Sequence, residues 1–95
     1  MDSGVILEML KVDLGMVTTA YDERLTAIIN AAMGAISTEG ITLDAARVDD
    51  MQLVTMYSAW LWRRRDSMDA MPRMLRWSLN NRLFSQKAKA GETDG

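Results

Sequence analysis

From Val5 to Leu14 the apolar residues Ile6, Met9 and Leu10, with Leu7 and Leu14 beside them, recur at steps of three and four, the period of one helix face. Gly15 follows as a natural stop, because glycine takes the left-handed conformation that closes a helix. This predicts a short first helix over about residues 4–14. Thr18 and Thr19 then offer hydroxyl caps, Asp22 and Glu23 fill a first turn, and Leu25, Ile28, Ile29, Ala32, Met33 and Ile36 form the clearest apolar stripe in the chain. A second helix over about 19–39 is expected, ended by Gly40. Away from its stripe, Ala27, Ala31 and Gly34 form either a face that lets another helix come close or an ordinary exposed alanine face.

Ile41-Thr42-Leu43 reads as an extended link, and Asp44 or Asp49 as the cap of a third helix over about 45–65. Leu53, Val54, Tyr57, Trp60 and Leu61 share one side of that helix, the expected core face. Trp62 stands about 200° away from Trp60, beside Met51, Thr55 and Ser58, so a lone subunit is not expected to bury both indoles. The stretch Asp66-Ser67-Met68-Asp69-Ala70-Met71 has no sustained period and reads as a loop. Pro72 suits a first helical position and starts a fourth helix over about 72–86. This helix is apolar on two sides. Met71, Leu75, Leu79 and Leu83 form one stripe; Trp77 and Phe84, one heptad apart, lie roughly opposite with Arg73, Asn80 and Asn81 around them. A helix of this kind either runs through the middle of a bundle or meets another molecule. Residues 88–95 read as a flexible tail. The expected fold is therefore all-α, a small bundle of four helices in a single domain over 1–87, with no strand alternation and no internal repeat.

At 95 residues, 48% hydrophobic and 25% charged, the chain suits one globular domain with a thin core, burying roughly two-thirds of its unfolded surface. The nine methionines are either flexible core fillers or an adaptable binding face. No apolar run approaches the ~18 residues of a membrane span, and Met1-Asp2-Ser3-Gly4 lacks a basic leader, so the expectation is a soluble protein made in the cytoplasm, with no membrane partner. Cysteine and histidine are both absent, which removes disulfides, thiolate metal sites, the commonest general base and the commonest zinc ligand. A carboxylate-only centre would need acids converging from separate elements. The only adjacent acidic pairs, Asp22-Glu23 and Asp49-Asp50, stand where a helix start favours negative charge. With no glycine-rich phosphate loop, nucleophile motif or metal-ligand spacing, the reading is a non-enzyme without cofactor or metal.

Charge is split along the chain. Residues 1–50 hold nine acids against three bases, a net −6, whereas residues 51–95 hold four acids against eight bases, a net +4. Such a split suits head-to-side association between copies or an acidic partner for the second half. Arg63-Arg64-Arg65, Arg73, Arg76 and Arg82 carry three readings: charges placed against helix C-termini, salt bridges to the acidic half of another molecule, or DNA contacts. A helix-turn-helix motif fits poorly, since the 66–71 linker is long and without glycine, and Arg63 to Arg65 splay over about 200°. A small nucleic-acid-binding regulator that uses the basic half is nevertheless the alternative function.

From the third helix onward, the runs Met56-Tyr57-Ser58-Ala59-Trp60-Leu61-Trp62-Arg63-Arg64-Arg65, Met71-Pro72-Arg73-Met74-Leu75-Arg76-Trp77 and Leu79-Asn80-Asn81-Arg82-Leu83-Phe84 resemble the small head-tail connector proteins of tailed phages and prophages, also called adaptor or head-completion proteins. The likeness covers about residues 5–87 and is looser in the first half, where Leu14-Gly15-Met16 and the helix opened by Asp22 fit the pattern; Trp62 departs from it, standing in place of a more ordinary aromatic. The resemblance implies a structural role in the virion at the head-tail junction. Copies would form a homo-oligomeric ring under the portal protein, extend the channel through which DNA passes without specific binding, and dock a tail-side stopper protein. It carries no catalytic residues over. Position off the main stripes then marks Trp62, Arg63, Arg65, Arg73, Trp77 and Phe84 as the expected subunit or portal contacts.

Overall fold

A computed structural model of the chain describes residues 1–66 and 69–94. It contains α1 (Ser3–Leu14), α2 (Asp22–Thr38), α3 (Val48–Arg63) and α4 (Arg73–Asp94), with a 3-10 turn at Arg64–Asp66 and no strand among the described residues. This is the expected all-α bundle of four helices. Ser67 and Met68 of the expected 66–71 loop lie outside the described residues.

The ends of the helices show which local signals acted. Asp2 caps α1 by accepting the Gly4 N–H at 2.8 Å, so the helix starts slightly earlier than its apolar period. Gly15 closes it at φ 69°, donating its N–H toward the Lys11 and Val12 carbonyls. Thr18 and Thr19 do not cap α2. The Thr18 hydroxyl instead accepts the Ala20 N–H at 3.2 Å in a tight turn, and α2 opens at Asp22, whose carboxylate lies 2.9 Å from Lys11 Nζ and ties the end of α1 to the start of α2. Gly40, at φ 96°, turns the chain after α2 as expected. Neither Asp44 nor Asp49 caps α3. Asp44 accepts the Ala46 N–H at 2.9 Å in a turn of its own, and α3 begins at Val48 after Arg47, which offers no side-chain cap.

α3 is the middle of the molecule, packed against α1, α2 and α4. It is therefore enclosed on more than one side: Leu53, Val54, Tyr57, Ala59 and Trp62 join the core, while Thr55 and Ser58, also buried, return their hydroxyl protons to the carbonyls of Met51 (2.8 Å) and Val54 (2.7 Å). This corrects the expectation for Trp62. Only 8% exposed, its ring meets Tyr21 edge-on at 5.6 Å and carries the Arg65 guanidinium 3.9 Å above it. A wheel with a single core face left Trp62 outside; a helix with neighbours on opposite sides has room for both indoles, and Trp60 is itself half-buried against Tyr57.

Around α3, Ile6 and Leu10 of α1 and Leu25, Ile29, Ala32 and Ile36 of α2 are fully buried, each large aliphatic side chain contributing about 1.5–3 kcal/mol by its transfer from water. Ala27, Ala31 and Gly34 stay exposed, and nothing lies within 4 Å of where a Cβ on Gly34 would stand. α4 contributes Leu75 and Leu79 to the core, flanked by the half-buried Met71 and Leu83, which is the first of its two expected stripes. It starts at Arg73, with the Pro72 carbonyl accepting the Arg76 N–H at 3.1 Å, and runs to Asp94 rather than stopping near Gln86. Lys87, Ala88 and Lys89 are all good helix formers, which accounts for the extension. Much of the expected tail, the side chains from residue 90 on, lies outside the described residues.

Candidate functional site

One buried ion pair, one solvent-exposed ion pair and one amide hold α4 to the rest of the molecule. Asp50, fully buried in the first turn of α3, receives Arg82 through Nε at 2.7 Å and Nη2 at 3.0 Å. Its Oδ2 also accepts the Asp44 N–H at 2.8 Å, and Arg82 Nη2 donates to the Thr42 carbonyl at 2.9 Å. One turn later Gln86 donates to the Gly40 carbonyl at 2.9 Å and accepts the Thr42 N–H at 2.8 Å, pairing with the extended link much as a strand would. At the other end, Arg76 grips Glu39 bidentately at 2.6 and 3.0 Å. Burial pulls the Asp50 carboxyl upward, but the Arg82 hydrogen bond, the Asp44 N–H and the charges of Arg82 and Arg47 outweigh it and hold the group below the usual aspartate range. The Glu39 hydrogen bond raises Arg76, and the Asp50 hydrogen bond raises Arg82.

These pairs dispose of part of the arginine cluster. Arg76 and Arg82 are turned inward onto acids of the chain's own first half, so the charge split is partly spent on holding the subunit together. Arg65 lies over Trp62 and donates to its carbonyl at 2.6 Å, and Arg64 stacks 4.8 Å over Trp60. Arg63 is exposed at the mouth of a cleft that also takes in Asp13, Trp60, Pro72 and Met74.

With its inner stripe and polar clamps facing the bundle, α4 turns its second stripe outward. Met74, Trp77 and Phe84 are 66%, 61% and 74% exposed and fall on one side of the helix, with Arg73, Asn80 and Asn81 around them. Of the six residues expected at contacts, the fold thus gathers Arg73, Trp77 and Phe84 on one face. Arg63 stands near the start of that face, across the cleft from Met74, while Trp62 and Arg65 are paired with each other on the side of Tyr21. A second cleft, of about 310 Å³, runs between α3 and α4 beside Trp77, with Arg47, Asp49, Met56 and Asn81 along it.

Asp50 and Gln86 are not assigned as structural anchors in the sequence reading above, although their spacing carries a signal. Asp50 lies three, four and seven residues before Leu53, Val54 and Tyr57, hence on the core stripe of α3, and Arg82 and Gln86 continue the Leu75, Leu79 stripe of α4. A charge of each sign on two packed stripes is the signature of a buried pair. Among the described residues no three His, Cys, Asp or Glu side chains come together in a metal-binding group, and no helix is long and apolar enough to cross a membrane. Compared with family models, with curated proteins and with solved structures, the chain matches none of them.

Proposed function

We propose that this chain is a structural, non-catalytic assembly subunit, a head-tail connector of a tailed phage or prophage that joins a ring beneath the portal, extends the DNA channel and offers a platform to a tail-side stopper protein. The observation that carries the reading is the outward stripe Met74, Trp77, Phe84 on a helix already anchored by Leu75, Leu79, Asp50–Arg82 and Glu39–Arg76. A tryptophan, a phenylalanine and a methionine left in water on one helix face are costly unless a partner covers them, and aromatic side chains are the commonest anchors of protein contacts. The family resemblance over residues 56–84 supplies the kind of assembly, and the same residues, Arg73, Trp77 and Phe84, stand on the face in question.

The test is to mix the purified chain with portal rings and image the product. Decoration of the rings by the native chain, and its loss in a Trp77→Glu, Phe84→Glu variant that retains the native helical spectrum, is the expected result. Undiminished decoration by that variant would remove the stripe from the assembly, and failure of the native chain to decorate any portal would remove the connector role.

A further inference from the structure

The outward stripe of α4 has a counterpart on the same molecule. On α1, Val5 and Val12 are exposed, the latter by 80%, although every other aliphatic side chain of that helix is buried or half-buried. Val5 and Val12 are one heptad apart, as are Trp77 and Phe84, so each pair spans about 10.5 Å along its helix. Two small knobs on one helix thus match two large knobs on the other in spacing.

The charges match as well, in a way that selects an orientation. Successive residues advance by about 100° around a helix, which places Asp2 and Asp13 on one flank of the Val5–Val12 line and Glu8 on the opposite flank. By the same rotation Arg73 and Lys87 lie on one flank of the Trp77–Phe84 line and Asn81 on the other. All six of these polar side chains are exposed. Lay the two helices side by side and parallel, Trp77 level with Val5 and Phe84 level with Val12. Arg73 then falls opposite Asp2, Lys87 within reach of Asp13, and the Asn81 amide beside Glu8. In the antiparallel arrangement Arg73 and Lys87 fall on the flank of the single acid Glu8 and Asn81 on that of Asp2 and Asp13, so two of the three acids lose their bases.

We infer that the occupant of the α4 face is the α1 face of a second copy of this chain, packed parallel in this register. The inference rests on the assembly reading above and goes beyond it by naming both surfaces and their direction. Since the two faces differ, the contact is heterologous: every copy that offers α4 to one neighbour keeps its α1 free for another, so contacts propagate into a ring or a chain.

The chain has no cysteine, so each introduced thiol is unique. Under mild oxidation, Phe84→Cys mixed with Val12→Cys, and Trp77→Cys mixed with Val5→Cys, are expected to give disulfide-linked heterodimers, whereas Phe84→Cys with Val5→Cys is not. The reverse pattern would establish an antiparallel contact and overturn the register. In sedimentation, an Arg73→Glu, Lys87→Glu variant and an Asp2→Lys, Asp13→Lys variant should each self-associate at least about tenfold more weakly than the native chain. Mixed together, the two should recover native affinity and associate in strict alternation, because both junctions between unlike variants, the reversed one and the native one, are correctly charged. Native-like self-association of either variant alone would overturn the pairing. So would a native chain that stays monomeric up to about 1 mM, which is weaker than any useful contact. If such a monomer still decorates portal rings through Trp77 and Phe84, the stripe belongs to the portal and only this inference fails; if it decorates nothing, the assembly reading fails with it.

Discussion

Arg82 of α4 reaches into the first turn of α3 and holds Asp50 by two hydrogen bonds, Nε to Oδ1 at 2.7 Å and Nη2 to Oδ2 at 3.0 Å, with the carboxylate fully buried. Both partners find further bonds, Asp50 from the Asp44 N–H and Arg82 to the Thr42 carbonyl, so the pair organises the link between α2 and α3 as well as the seat of α4.

Removing one partner should therefore cost far more than removing both. Arg82→Met leaves a buried carboxylate with one N–H for company and is expected to lower stability by about 3–5 kcal/mol, as is Asp50→Leu, which strands the guanidinium. The double variant should recover much of that loss, because two apolar side chains can pack where two charges had to be desolvated. Urea unfolding of the four proteins checks this, and strictly additive losses would mean that the two side chains do not act as a pair.

The same carboxylate makes an acid-sensitive element. Its folded value lies below the ordinary 3.8, so the pairing contributes fully above that pH and is lost as pH falls through the folded value. In unfolding experiments the native chain should lose stability below about pH 4 more steeply than Asp50→Asn, which has no proton to take up at that position. Parallel slopes for the two proteins would show that Asp50 is not held below its unfolded value.

The three tryptophans should separate by environment. Trp62→Ala empties a site between Tyr21 and Arg65 and is expected to cost about 3–5 kcal/mol, while Trp77→Ala should change stability by no more than about 0.5 kcal/mol. Iodide should quench a fraction of the native fluorescence that largely disappears in Trp77→Phe. Equal quenching before and after that change would place Trp77 in a covered site.

Two glycines make opposite predictions. Gly40 sits at φ 96° with Leu83 Cδ1 an ordinary 3.6 Å from where a Cβ would stand, so Gly40→Ala strains the backbone rather than the packing and should cost about 1–2 kcal/mol. Gly34 has open space around it inside α2, and Gly34→Ala should stabilise the protein by about 0.5–1 kcal/mol. Thermal unfolding of both variants decides the signs.

Much of the architecture is legible in the sequence because it depends on local chemistry. The stripe from Leu25 to Ile36, the glycine stops at Gly15 and Gly40 and the inner stripe Leu75, Leu79 all act within a turn or two of the chain, and all appear where expected. The helix starts were less legible. Thr18 and Asp44 used their capping oxygens in tight turns, a local alternative that sequence alone does not rank against a helix cap.

What the sequence determined by itself was the presence of four amphipathic helices and the surplus of large apolar side chains on the last one, since periodicity follows from backbone geometry alone. What only the tertiary structure decided was which helix is surrounded. α3 rather than α4 took the centre, so Trp62 went inside while Trp77 and Phe84 stayed in water, and Arg82 met an aspartate 32 residues away. The physical reason is that burial is a property of neighbours: a helix wheel shows which side chains share a direction, and only packing determines how many directions are covered.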